Sequence, residues 1–288
     1  MIDHLPALQI VVPLLAAPLC VFIRHPIAVK IWAILVSWTT LAISVLLLAN
    51  VTTSTEPISY WMGGWAPPWG IELRIDSANA YVMLLISAIS SVVLLFGAGS
   101  AHLSVAKHRM YLFYAAFLLC MTGLLGITIT GDAFNVFVFL EVSSLSTYTL
   151  IALGKGRQAL MAAFSYLILG TIGGTFILLG IGMMYQMTGS LNMADLANLL
   201  PAVNHTRTIV VAFAFLTIGV SIKLAVFPLH QWLPNAYTYS PSVVSAFLAA
   251  TATKVSYYVL ARLIFTVFGA SFVFGYLHFD AILLPLSL

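Results

Sequence analysis

Glu141, Lys223 and Lys254 lie in the middle of stretches otherwise apolar enough to sit in lipid. An ionisable group at mid-membrane costs from about 3 to over 10 kcal/mol. A chain that keeps three such groups is more readily explained by movement of charge than by simple passage through a bilayer. Burial disfavours a protonated amine and a nearby carboxylate favours it. A carboxylate that approaches and leaves a buried lysine therefore drives a proton on and off that lysine. Lys223 would give its proton up as Glu141 moves away, and Lys254 would accept it through ordered water or hydroxyls. Ser221, Thr251 and Thr253 are the hydroxyls near in sequence that can hold such water. His230 follows Lys223 by seven residues and shares its face if helicity persists.

Each residue also has a plainer explanation. Glu141 and Lys223 can form a static ion pair that holds two helices together. Lys254 can reach water along its own stem. His230 can be a neutral ring bonded to a backbone carbonyl. Arg262 lies two turns beyond Lys254 and can snorkel to the interface; it and Asp132 read as anchors.

Composition fixes the setting. The chain has 288 residues, of which 62% are hydrophobic and 7% charged, with a mean hydropathy of +1.08. Soluble domains carry roughly 25% charged residues, so too little charge is present to cover a water-facing surface. The class is a polytopic all-α membrane protein. The net charge is +3 with no basic run, which gives no footprint for nucleic acid. Cys20 and Cys120 sit far apart in apolar runs and read as buried thiols rather than a disulfide or metal site. No catalytic or cofactor motif is present. Met1 to His4 lacks the basic region of a cleavable signal, so the first apolar stretch is expected to be retained as a helix.

About 20 apolar residues cross a hydrocarbon core. Eight spans are expected, near 5–23, 27–49, 78–99, 110–130, 133–153, 160–186, 207–235 and 243–268. Arg24, Lys30, Lys107, Arg109, Lys155 and Arg157 follow odd-numbered spans, whereas Arg74 and Arg207 lie on the other side. This bias puts the loops after odd spans in the cytoplasm and the N-terminus outside. Segment 50–77 reads as an external hairpin with aromatic side chains at the interface. Segment 190–202 reads as a short amphipathic surface helix capped by Ser190 or Asn192. Gly170 and Gly174 form a small-xxx-small pair for close helix packing. Pro228 lacks an N–H and clashes with the turn before it, so the seventh span is expected to be broken close to Lys223. Broken helices often mark ion sites in transporters.

Three segments carry a family resemblance: Phe134-Asn-Val-Phe-Val-Phe-Leu-Glu141, Lys223-Leu-Ala-Val-Phe-Pro228-Leu-His230-Gln-Trp232-Leu-Pro234, and Ser245-Ala-Phe-Leu-Ala-Ala-Thr-Ala-Thr-Lys254. They resemble the proton-conducting membrane subunits shared by Mrp-type cation/proton antiporters and respiratory complex I. Asn135 and the stretch Thr188-Gly-Ser-Leu-Asn-Met193 are most similar to the D-type member of the Mrp antiporter set, with membrane-bound hydrogenase subunits close behind. The resemblance implies that Glu141 pairs with Lys223 on the broken seventh helix and that Lys254 continues the relay. It implies residues 1–109 as three N-terminal helices with the hairpin, 110–268 as a first five-helix repeat (spans 4–8), and 269–288 as the start of a second repeat whose remainder, with its charged residue, is missing. It also implies partner membrane subunits, transport of H⁺ and Na⁺, no cofactor in this chain, and a bacterial cytoplasmic membrane. A proton-pumping subunit of an NADH- or hydrogenase-driven redox complex is the alternative, and a non-conducting structural remnant a second one.

Overall fold

The computed structural model describes residues 4–54 and 56–282. The expectations for Met1–Asp3, and for the part of the tail beyond 282, fall outside that range. Among the described residues, eight helices are long and apolar enough to cross a membrane. They are α1 (Leu5–Ile23), α2 (Pro26–Thr53), α3 (Ser77–Ser104), α4 (Met110–Ile129), α5 (Ala133–Ala152), α6 (Arg157–Thr188), α8 (Arg207–Leu224) and α10 (Ser242–Arg262). Two shorter helices, α7 (Met193–Val203) and α9 (Trp232–Tyr239), complete the set. The protein is an all-α polytopic membrane protein.

α4 is the axis, buried around almost its whole circumference. It packs against α1, α3, α5 and α10. Small residues let α5 approach it: a Cβ at Gly126 would run into the Phe139 ring, and one at Gly123 would lie 2.6 Å from the Ser143 nitrogen. In a membrane, close packing of this kind replaces the hydrophobic drive that lipid cannot supply. α6 meets α8 in the same way. A Cβ at Gly219 would lie 2.6 Å from the Gly173 carbonyl oxygen.

The external hairpin forms as the alternation predicts. β1 (Ile58–Trp61) pairs antiparallel with β2 (Glu72–Ile75), Trp61 opposite Glu72. Trp65 and Trp69 are exposed beside it. Buried Glu72 fastens the hairpin to the bundle. Its backbone carbonyl accepts from Gly131 at 2.9 Å, and its carboxylate accepts from Ser59 at 2.5 Å and Asn192 at 2.7 Å. Asn192, not Ser190, caps α7, accepting from the Ala194 and Asp195 amides. Leu196 and Leu200 are buried on the inner face of α7, which lies against Leu263–Phe268, where α10 loosens into wider turns.

The seventh span is shorter than expected. The sequence suggests 207–235, but α8 stops at Leu224 and the chain turns through Ala225–Gln231 before α9. Pro228 explains part of this. Ala225 adds a left-handed residue at φ 62°, and two bonds close the end: Ala225 N–H to the Ile222 carbonyl at 3.2 Å and Val226 N–H to the Ser221 carbonyl at 3.0 Å. This is a Schellman-type ending, usually built on glycine.

Asp76 caps α3 by accepting from the Asn79 amide at 2.9 Å, and it pairs with Arg262. Burial alone pushes the Asp76 carboxyl up, but the hydrogen bonds from Arg262 and the Asn79 amide outweigh it and hold the carboxyl below its ordinary value. A carboxyl depressed on folding adds stability that is present above its unfolded value and is lost as pH falls through the folded one.

Two stability tests follow from this packing. Gly219→Ala should lower the melting temperature in detergent by an amount worth about 1–3 kcal/mol, the usual cost of overpacking. Gly182→Ala, where an added methyl meets nothing within 4 Å, should be neutral or better, and equal melting of the two variants would contradict the α6–α8 contact. Asp76→Asn keeps the cap and loses the ion pair. Its deficit against wild type, about 1 kcal/mol or less for a partly exposed pair, should be present at neutral pH and close below about pH 4.

Candidate functional site

Lys223 occupies the last full turn of α8, just before the break, with only 3% of its side chain exposed. Its ammonium donates to Glu141 Oε1 at 3.1 Å and to Ser144 Oγ at 2.7 Å. Glu141 and Ser144 are three residues apart on α5 and so share a face. An ammonium has three donors, and α5 satisfies two of them. A cavity of about 20 Å³ adjoins the lysine, walled by Ser143, Ser144 and Thr147 of α5 and by Ala252 and Ser256 of α10. A water needs roughly 10–15 Å³ and two to four polar partners, so this cavity has the room and hydroxyls for one.

The glycines of α6 shape the other side. A Cβ at Gly174 would collide with the Glu141 carboxylate, and one at Gly170 with the Tyr148 hydroxyl. The small-xxx-small pair therefore accommodates polar groups of α5. Unlike Lys223, Glu141 is about a quarter exposed, at 25% of its side chain.

The break is braced by an aromatic stack. Trp232, fully buried at the start of α9, donates to the Ile222 carbonyl at 2.8 Å. Its ring stacks on Tyr166 of α6 at 3.8 Å and 4°, and Tyr148 meets Tyr166 edge-on at 4.7 Å. The turn that presents Lys223 is thus tied to α5 and α6 from both ends.

The structure brings Glu141 and Lys223 together and places the other candidates apart from them. Lys254 is exposed on α10, its amine turned back to the Ala249 carbonyl. Ala252, Val255 and Ser256, not Lys254, face the cavity. Thr251 is buried and donates to the Phe247 carbonyl at 2.7 Å. Thr253 and Ser221 are half-buried, and neither lines the cavity beside Lys223. Helicity does not persist from Lys223 to His230, so their shared face is lost. His230 lies in the turn, and its Nδ1 is buried without a hydrogen-bond partner among the described residues. Ser144, Tyr148 and Tyr166 are additions to the sequence reading. Ser144 was findable from its spacing to Glu141, whereas the two tyrosines carry no sequence signal beyond being aromatic.

Residues 130–284 match the family described as NADH:quinone oxidoreductase/Mrp antiporter, TM. The chain is 44% identical over 274 residues to the N-type subunit of the NADH-quinone oxidoreductase of Desulforudis audaxviator, covering 94% of this chain and 54% of that protein. It is 31% identical to the D-type subunit of the Na⁺/H⁺ antiporter of Bacillus subtilis, over 91% of this chain and 52% of that one. Among solved structures, a chain of the Mrp complex from Dietzia superposes with a TM-score of 0.83 at 26% identity, over 93% of this chain and 49% of that one. A chain of an archaeal membrane-bound sulfane sulfur reductase gives 0.83 at 31% identity, over 91% and 53%. The chain spans about half the length of these relatives. It belongs to the family of antiporter-like membrane subunits shared by Mrp antiporters and complex I.

The charge state of the pair can be read with a membrane-soluble carbodiimide, which attacks protonated carboxyls. In the intact protein Glu141, held against an ammonium, should react slowly. Lys223→Met removes the countercharge, and labelling of Glu141 should become several-fold faster at pH 7. Equal rates in the two proteins would mean that the pair is not ionised.

Proposed function

We propose that this member of the family translocates protons as one subunit of a hetero-oligomeric Mrp-type antiporter that exchanges Na⁺ for H⁺. The observation that carries the reading is the 3.1 Å contact between Lys223 and Glu141 at the edge of a helix break. Breaking a buried pair by withdrawing one partner is worth about 3–5 kcal/mol. That is enough to move a proton when the carboxylate shifts. Lys223 then becomes a neutral amine, and the proton passes to a water in the adjoining cavity. Ser256 and the hydroxyls of α5 orient that water. Lys254 takes the proton once its amine leaves the Ala249 carbonyl. His230, beside the break, is the group through which protons exchange with the cytoplasmic side.

A second reading has a specific support. The 44% identical relative is called a subunit of NADH-quinone oxidoreductase. In that setting the same residues carry protons, and partner subunits carry the electrons.

Vesicles containing the chain with its partner subunits separate the readings. A Na⁺ pulse that collapses a pH gradient supports the antiporter, and proton uptake that requires an electron donor supports the redox complex. Under either drive, Lys223→Met and Glu141→Gln should lower proton flux at least tenfold with assembly intact, and Lys254→Ala should abolish it. Undiminished flux in all three variants would leave the structural remnant as the better description.

A further inference from the structure

A cavity of about 430 Å³ lies at the end of the bundle that the charge distribution assigns to the exterior. Arg74, Asp76, Asn79 and Asn198 stand at its polar part, with Tyr258 and Arg262 on its wall. Asn198 and Thr266 are exposed, so the cavity reaches the surface. Arg262 pairs with Asp76 and donates to the Tyr258 hydroxyl at 2.9 Å. Tyr258 donates in turn to the Thr128 carbonyl at 3.2 Å. This chain of bonds joins α3, α10 and α4 along the wall. The volume is many times the roughly 10–15 Å³ that one water needs, so it has room for several waters.

The floor of this cavity is the informative part. Val220 lines it and precedes Lys223 by one turn of α8. Ile177 lines it and is one turn from Gly174, the residue against the Glu141 carboxylate. Ile127 lines both this cavity and the small one at Lys223. Three helices thus bring the large cavity within one apolar layer of the buried pair. Charged groups on the wall are Arg74, Asp76 and Arg262. Because Asp76 and Arg262 pair with each other, the mouth is net positive. This disfavours a resting metal cation, and the donors and acceptors of the rim suit water.

We propose that this cavity is a water-filled access route from the outer face to Lys223, closed at its base by a gate of Ile127, Ile177 and Val220. When the gate wets, an N–H bond of the Lys223 ammonium breaks and an O–H bond forms on a cavity water. The products are a neutral amine and a hydronium ion that leaves outward, or the reverse on uptake. The direction of flux rests on the proton-translocating reading above, whereas the existence of the water route does not.

The test uses the assembled complex with Cys20 and Cys120, both buried and free, replaced by alanine. Single cysteines at Ile181, on the cavity wall, and at Ile172, exposed on the outside of α6, are treated with a small anionic, membrane-impermeant thiol reagent. Ile181→Cys should react from outside intact cells at least tenfold faster than Ile172→Cys. Equal slow rates, or reaction only in inside-out vesicles, would overturn the route. Ile127→Ala should then raise passive proton leak at least tenfold in de-energised vesicles, and Lys223→Met added to it should remove that leak. Labelling without any leak overturns the gate while leaving the outer water in place. Leak that survives Lys223→Met overturns the lysine's role instead.

Discussion

A charged amine buried beside a carboxylate, away from bulk water, is the constraint around which the rest of the bundle is arranged. An ammonium as buried as that of Lys223 needs a countercharge and hydrogen-bond acceptors supplied by protein. α5 supplies both from one face, Glu141 and Ser144. α6 must then leave space for the carboxylate, which it does with Gly174. Because Gly173 and Gly219 also let α6 and α8 nearly touch, the helix that carries the lysine is fixed at the depth of the glutamate. Close packing and charge placement are here a single requirement, since each glycine that shortens a helix–helix distance also sets where a charge can sit.

The end of α8 obeys the same logic. Unpaired backbone carbonyls are costly in a low-dielectric interior, and a helix that stops near mid-bundle leaves several. The Ser221 and Ile222 carbonyls are taken by the amides that follow the turn, and Ile222 also accepts from Trp232. The indole is held by its stack on Tyr166. A lysine on the last turn of such a helix stands beside backbone that is non-helical but satisfied.

Hydropathy and local chemistry made much of this legible in the sequence. Seven spans fall within a few residues of their positions because length and apolarity decide them. The hairpin is written in the alternation of residues 71–75, and Asn192 is a cap because its side chain reaches the next amides. The pairing of Glu141 with Lys223 could be expected because few other acids are deep enough to match a buried lysine. What was not legible depends on helix rotation and on bonds between distant segments. The direction of Lys254 is set by how α10 turns against α3, α4 and α8, which hydropathy on a nearly uniform apolar helix does not encode. Its neighbour Ser256 faces the cavity instead. Arg262 read as a snorkelling anchor because its partner, Asp76, lies 186 positions away. The seventh span ends earlier than the sequence suggests because Ala225, not Pro228 alone, takes up the left-handed turn, and alanine carries no such signal.

The two kinds of burial at the pair bear on what it can do. Lys223 is sealed, whereas Glu141 keeps a quarter of its side chain exposed. A purely structural ion pair would gain from sealing both partners, since the attraction between charges grows as water is excluded. Leaving the carboxylate partly open weakens the pair. Lys223, by contrast, is bounded by the small hydroxyl-lined cavity on one side and by the floor of the larger cavity one turn above. Of the two partners, the amine is the more enclosed and the acid the more open. In such a site the proton affinity of the amine depends on where the acid stands, which is the coupling that the proposed relay requires.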